Sequence, residues 1–218
     1  LKKEDRLSCD DEISATIDPL FDWGVFSDEI EKMPDMESVN WANKTVFTKE
    51  QSNPFFLSVG LYRPHLPFYA PQEFFDMHPL DGIQLPATKS NDLEDLSENI
   101  LQKNSGGHID HHPLGWNFHR FDWVEKNNQW KQITQAYLAS VSFADHCIGL
   151  LLDNLEKSKY ADNTIIVLWS DHGYHVGEKR VIGKYDLWEE STRVPLIFAG
   201  KGLLKGKVAN DPVGLIDI

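Results

Sequence analysis

Thr164-Ile165-Ile166-Val167-Leu168-Trp169-Ser170-Asp171-His172-Gly173 is the stretch whose reading decides the fold. Its first six residues are β-branched or otherwise apolar almost throughout. A strand covered on both sides reads as such a continuous run, so residues 164–169 are predicted to be a central strand buried on both faces. The run stops at Ser170, and Asp171, His172 and Gly173 follow at once. Ligands in open α/β sheets gather at the carboxyl ends of strands, which puts this Asp-His pair where a site belongs.

Upstream, Ile133, Tyr137, Ser140, Val141, Ala144, Ile148, Leu151, Leu152 and Leu155 recur at steps of three and four. One apolar stripe of that period predicts a long amphipathic helix. Lys159, Tyr160 and Asn163 mark the turn between helix and strand. Downstream, Val194 to Ala199 is a further strand candidate, its Pro195 pushing it towards a strand start. Phe55 to Gly60, bounded by Asn53-Pro54, is expected to be a short buried strand. Strand, loop, long helix, strand, loop, strand is the grammar of an α/β fold, a mixed sheet flanked by helices. Between these elements, Arg63 to Pro71 holds three prolines and is expected to be a constrained loop. Residues 86–128 are polar and rich in His, Gly and Asn, an irregular region of the length that usually lies over a site. Residues 1–53 show no strong period and are broken at Asp18-Pro19 and Met33-Pro34. No internal repeat is present, and residues 1–218 read as part of a single domain.

A chain of 218 residues with 41% hydrophobic and 25% charged residues is ordinary globular material with room for one substantial core. Its net charge of −13 argues against general nucleic-acid binding, which wants a basic footprint. The same charge means that any anion site must be locally basic. No apolar run approaches the ~20 residues that cross a bilayer. Leu1-Lys2-Lys3-Glu4-Asp5-Arg6 is too charged for the apolar region of a signal peptide. Cys9 and Cys147 give neither a disulfide framework nor a metal-type spacing, and Cys147, inside the predicted helix, reads as a buried small apolar residue.

Asp171 offers a hard carboxylate and His172 a nitrogen that can ligate or polarise, while Gly173 lets the chain turn away sharply. A strand-end cap beside a surface histidine is the competing reading of the tripeptide alone. Thirteen residues after Asp171, a loop punctuated by Gly177 and Gly183 and carrying Lys179 and Arg180 returns Lys184, which could neutralise a bound anion. Those three cations could equally be a solvated loop. His65 lies between Pro64 and Pro67, a backbone setting that fixes an imidazole for proton transfer or simply serves structure. His108, Asp110, His111 and His112 form a cluster favoured as a solvated or substrate-side loop over a metal site. Trp116, His119, Phe121 and Trp123 could stack on sugar rings or pin the long loop, and His175 and Glu178 could contact substrate.

In sequence order, Phe55 to Phe68 resembles the type I sulfatase segment that carries an active-site histidine. Gln135 to Asp145 resembles the helix before the metal strand, and Thr164 to Gly173 with Gly177, Glu178 and Lys184 resembles that strand and the lysine after it. Order and spacing are similar to iduronate-2-sulfatase-like members of the alkaline-phosphatase-like superfamily, over about residues 55–200. The resemblance implies that Asp171 and His172 bind a metal, Ca²⁺ before zinc, although calcium prefers oxygen to the nitrogen of His172. It implies that His65 contacts the sulfate or protonates the leaving oxygen, that Lys184 stabilises sulfate charge, and that Arg63 and His175 lie on the substrate side. A formylglycine nucleophile, a formylglycine-generating or maturase enzyme, a sulfated sugar or polysaccharide substrate and a secreted, periplasmic or lysosome-like location are further family expectations. The chain departs from the pattern at the nucleophile. Cys9 is followed by Asp10, Asp11, Glu12 and Ile13, and Cys147 by Ile148-Gly149-Leu150-Leu151, and neither is Cys-x-Pro/Ala-x-Arg. Asp10-Asp11 resembles the family's paired metal aspartates only superficially, because Lys2 to Ser8 is no buried strand. The expectation is therefore a fragment of a longer parent, inactive by itself. A phosphodiesterase or phosphonate-ester hydrolase of the same superfamily, or a degenerate binding module, are the alternatives.

Overall fold

A computed structural model describes residues 20–89, 91–96 and 113–218, the side chains of 113–117 excepted. The strands form three two-stranded ladders. β1 (Trp23–Phe26) runs parallel to β2 (Phe68–Pro71), with Trp23 opposite Phe68. β3 (Ile165–Trp169) runs antiparallel to β6 (Leu196–Gly200), and the short β4 (His175–Val176) and β5 (Ile182–Gly183) pair between them in sequence.

The helices are α1 (Pro34–Ala42), α2 (Gln72–Asp76), α3 (Pro113–Lys126), α4 (Trp130–Glu156) and α5 (Glu189–Thr192). Met33-Pro34, read in the sequence as a break, is a helix start: Pro34 occupies the first turn, where its missing N–H costs nothing, with Asp35 and Glu37 beside the positive end of the dipole. The predicted long helix is α4, whose 27 residues span about 40 Å. Its buried face carries Ile133, Ala136, Ala139, Ser140, Phe143, Ala144 and Cys147, and the small residues among them let it lie close across β2 while touching α1 and α2. Val141 and Leu152, assigned to the stripe from sequence, lie on the exposed side. Phe21, Trp23, Phe68, Phe74, Phe121, Val124, Ile133 and Phe143 form the centre of the core. Among the described residues no helix is long and apolar enough to cross a membrane.

Four sequence expectations change. Residues 164–169 were expected to be covered on both faces, yet among the described residues β3 has one ladder neighbour, and Ile165 and Phe198 are 62% and 52% exposed. An apolar run reports a preference for burial; which neighbours supply it is a tertiary matter. Phe55 to Gly60 pairs in no ladder among the described residues, and Phe56 is 93% exposed, although Phe55, Leu57 and Val59 alternate on the half-buried side. Residues 113–126 of the expected irregular region form α3, whose Phe118, Phe121 and Val124 recur at three-residue steps and are buried. The proline-rich loop ends in β2 at Phe68.

Cys147 is buried in α4, with its sulfur 3.8 Å from that of Met36. Burial, helped by the charge of Asp35, pushes its thiol up to about 12. A thiolate is the reactive form, so peptide-resolved labelling with a thiol reagent should leave Cys147 unmodified in the folded protein and modify it fully in denaturant.

Candidate functional site

β3 ends at Trp169, and the chain then turns onto α5. Ser170 Oγ donates to the His172 carbonyl at 2.8 Å, and Gly173 N donates to the Ser191 carbonyl at 2.8 Å. The approach is close enough to exclude any side chain at 173, because a Cβ there would stand 2.0 Å from the Glu190 carbonyl oxygen. That is the structural reason for glycine after Asp171-His172.

This turn sets the imidazole. His172 Nδ1 donates to the Gly173 carbonyl at 2.7 Å, since a carbonyl can only accept. Nε2 is left to accept from Lys184 Nζ at 2.5 Å, and lies 3.5 Å from Asp171 Oδ2. The Asp171 carboxylate is 84% exposed. His65 repeats the device: its Nδ1 donates to the carbonyl of the next residue, Leu66, at 2.8 Å, leaving Nε2 for the site. The two imidazole rings are 6.3 Å apart, edge towards face. His65, Asp171, His172 and Lys184, expected from sequence to work together, are thus brought together from two segments more than a hundred residues apart.

The electrostatics follow from this crowding. Burial pulls the His65 pKa below the usual imidazole value. The Leu66 carbonyl and Asp171 oppose that shift, while Lys184 and His172 reinforce it. Burial likewise lowers the Lys184 pKa, with Asp171 opposing and Arg120 adding to the effect. Lys184 is the cation of its loop that reaches the site. Lys179 is engaged at 2.8 Å by Asp92, and Arg180 by Asp122 and Glu125 at 2.8 and 3.0 Å. The Arg180 pairs are exposed and add little stability, the Lys179–Asp92 pair is half-buried, and together they account for the two cations that the sequence could not separate from Lys184.

Arg63 and His175, expected on the substrate side, lie inside. Arg63 is buried, donates from Nε to the Tyr69 carbonyl at 2.8 Å and stacks over Tyr62. His175 is fully buried against Asp186 and Trp188. The loop shared with Lys184 suggested substrate contact for His175, and the family resemblance suggested it for Arg63, but each side chain faces the protein. Glu178 accepts the Val176 N–H at 2.8 Å within its own loop. Phe121 belongs to the core, and Trp123 packs edge-on against Phe21 and Trp23, so both pin the fold. His108, Asp110, His111, His112, Cys9, Asp10, Asp11 and the Trp116 side chain lie outside the described residues.

Asp35 is the site residue that sequence reasoning missed. It is buried at the start of α1, and Oδ1 accepts the backbone N–H groups of Tyr62 and Arg63, the two residues leading into Pro64-His65. The one signal for it is an acidic residue just after a proline that opens a helix. Arg120, buried and donating to the Ile182 carbonyl at 3.1 Å, was also missed.

Asp171 and His172 could each donate to a metal, one oxygen and one nitrogen. Among the described residues no group of three or more His, Cys, Asp or Glu could hold a metal ion. Calcium takes six to eight oxygens, roughly, so this pair fits as one side of a coordination shell.

Comparison with known proteins gives the family. The family model described as Sulfatase matches residues 8–218. A sulfatase of Formosa agariphila is 46% identical over 197 residues, covering 90% of this chain and 37% of the relative. The iduronate 2-sulfatase of Homo sapiens is 33% identical over 177 residues, covering 76% of this chain and 30% of the relative. The chain therefore spans about a third of the length of these curated relatives. A solved structure described as a complex with its substrate D-glucosamine-2-N,6-O-disulfate superimposes with a TM-score of 0.54 at 21% identity. That match covers 76% of this chain and 42% of the other, and it speaks for the fold alone.

Proposed function

The chain belongs to the sulfatase family, and from that premise we propose that it supplies one wall of a sulfate-ester hydrolase site. The observation that carries the reading is the contact of Lys184 Nζ with His172 Nε2 beside His65. It joins a cation, a candidate metal ligand and an acid-base group at a strand end. Sulfated sugars or polysaccharides are the proposed substrates, in keeping with the names of the relatives.

In this reading Asp171 and His172 would hold a calcium ion together with carboxylates from outside the described residues. When bound, that ion would supply Lewis-acid polarisation of the sulfate, and a formylglycine from elsewhere in the whole enzyme would supply the attacking oxygen. Lys184 would exchange its His172 partner for sulfate oxygens, placing positive charge where negative charge is greatest. His65, with its Nδ1–H held by the Leu66 carbonyl, would have to take up a second proton at Nε2, and as imidazolium would give that proton to the leaving alcohol oxygen and return to the neutral ring. Arg63 and Asp35 would act only through the loop that carries His65. A maturation enzyme for the nucleophile and a secreted or lysosome-like location belong to the same proposal.

The whole enzyme should release inorganic sulfate from sulfated monosaccharides or an aryl sulfate, and a chelator should stop it. Phosphodiester cleavage with bound zinc in place of sulfate release would favour a phosphodiesterase instead. Binding of sulfated sugars with no turnover, metal present, would favour a non-catalytic module. The whole enzyme should carry Cys or Ser followed by x-Pro/Ala-x-Arg.

A further inference from the structure

His175 and Asp186 form a buried pair for which the proposed reaction has no use. Their side chains are 0% and 4% exposed, and His175 Nε2 donates to Asp186 Oδ1 at 3.3 Å. We propose that this pair is the positioning device that holds Lys184 against His172, an inference that rests on the sulfatase reading of Lys184.

The geometry is that of a short segment fastened at both ends by one residue. In the β4–β5 ladder His175 stands opposite Gly183, the residue immediately before Lys184. Two residues after Lys184, Asp186 receives the His175 side chain. Backbone pairing therefore fixes the entry to the Lys184 segment and a side-chain hydrogen bond fixes its exit. His175 is also only three residues beyond His172, so the lysine, its partner and the anchor share one compact stretch of chain.

The anchor is itself braced. Asp186 Oδ1 accepts the Trp188 N–H at 3.0 Å, and the Trp188 ring meets the imidazole edge-on with centroids 5.6 Å apart. Neither partner can touch a substrate from this position. Stability alone is a weak reason for the pair, because His175 Nδ1 and Asp186 Oδ2 are buried with no hydrogen-bond partner among the described residues. Taking a histidine and a carboxylate out of water is costly, and apolar residues of similar size would often hold a loop as well. What an apolar contact lacks is direction, and direction is what a lysine that must meet a sulfate oxygen requires.

The test uses the whole enzyme with His175→Ala, Asp186→Ala and His175→Gln, the last because its amide nitrogen reaches about where the imidazole Nε2 sits. His175→Ala and Asp186→Ala should each lower kcat about 10- to 100-fold with little change in KM, the range typical of residues that orient a functional group. His175→Gln should restore most of it. In parallel, an amine-directed reagent read by peptide mass spectrometry should modify Lys184 severalfold faster in both alanine variants. Lys157 and Lys201, exposed elsewhere, should react at unchanged rates. Wild-type kcat and wild-type Lys184 labelling in either folded alanine variant would overturn the proposal. So would equal acceleration at every lysine, which marks general loosening, or failure of glutamine to restore either readout. If the unaltered enzyme releases no sulfate, the functional reading fails, while the labelling still decides whether the pair positions Lys184.

Discussion

His65→Ala is expected to lower sulfate release by the whole enzyme about 10²- to 10⁴-fold in kcat, the range for loss of a positioned proton donor. The loss should fall on the chemical step, since the alanine variant keeps Lys184, Asp171 and His172, the residues proposed to bind the sulfate. Substrates with a good leaving group, such as nitrophenyl sulfate, should lose far less than sugar sulfates, because a stable phenolate needs no proton. That contrast separates proton donation from sulfate contact, the other role open to this residue. Equal losses on both substrates would assign His65 to contact alone. The backbone around it should survive the change, because the loop is tied by Asp35 to Tyr62 and Arg63 and by Arg63 to Tyr69 rather than by the imidazole.

Gly177→Ala is expected to destabilise the fold by about 3 kcal/mol, combining a backbone conformation of the kind nearly reserved for glycine with a lost buried hydrogen bond. Gly177 has φ +126°, and a Cβ on it would stand 2.4 Å from the Trp130 indole. The indole cannot withdraw freely, because its Nε1 donates to the Val176 carbonyl at 2.7 Å. That bond joins the first residue of α4 to the loop bearing Lys184, so the substitution should loosen the site as well as the fold. Urea unfolding followed by tryptophan fluorescence measures the loss. Gly60→Ala is the control: a Cβ there meets nothing within 4 Å and should change stability by less than about 0.5 kcal/mol. Similar midpoints for the two variants would show that the close approach to Trp130 is not maintained in solution.

Much of the candidate site was legible because its residues sit at places the chain marks locally. Asp171 and His172 follow a strand whose end is written in a change from apolar to polar, and His65 is flanked by prolines. The α4 helix was legible for the same reason, since its period is a local property. What stayed hidden depends on partners. Whether His175 faces substrate or Asp186 is decided by the β4–β5 ladder, two residues long on each side, too short to leave a period. α3 was masked by polar and aromatic composition, though Phe118, Phe121 and Val124 already carried its spacing. Asp35 acts through backbone N–H groups about 27 residues away, and no pattern in the sequence points from one to the other. The exposure of β3 and β6 was unpredictable on the same ground, since a strand states its appetite for neighbours without naming them.

The carbonyls of Leu66 and Gly173 choose the tautomer of the two site histidines, and a carbonyl is common to every amino acid. Proton placement at His65 and His172 is therefore written in the path of the main chain, with no second side chain to be lost by mutation. A protein engineer could vary much of the surrounding polar surface without disturbing which ring nitrogen is left facing the candidate site. The vulnerable positions are those that shape the path itself, Gly173 and the residues that tether the His65 loop, and a library should leave them alone.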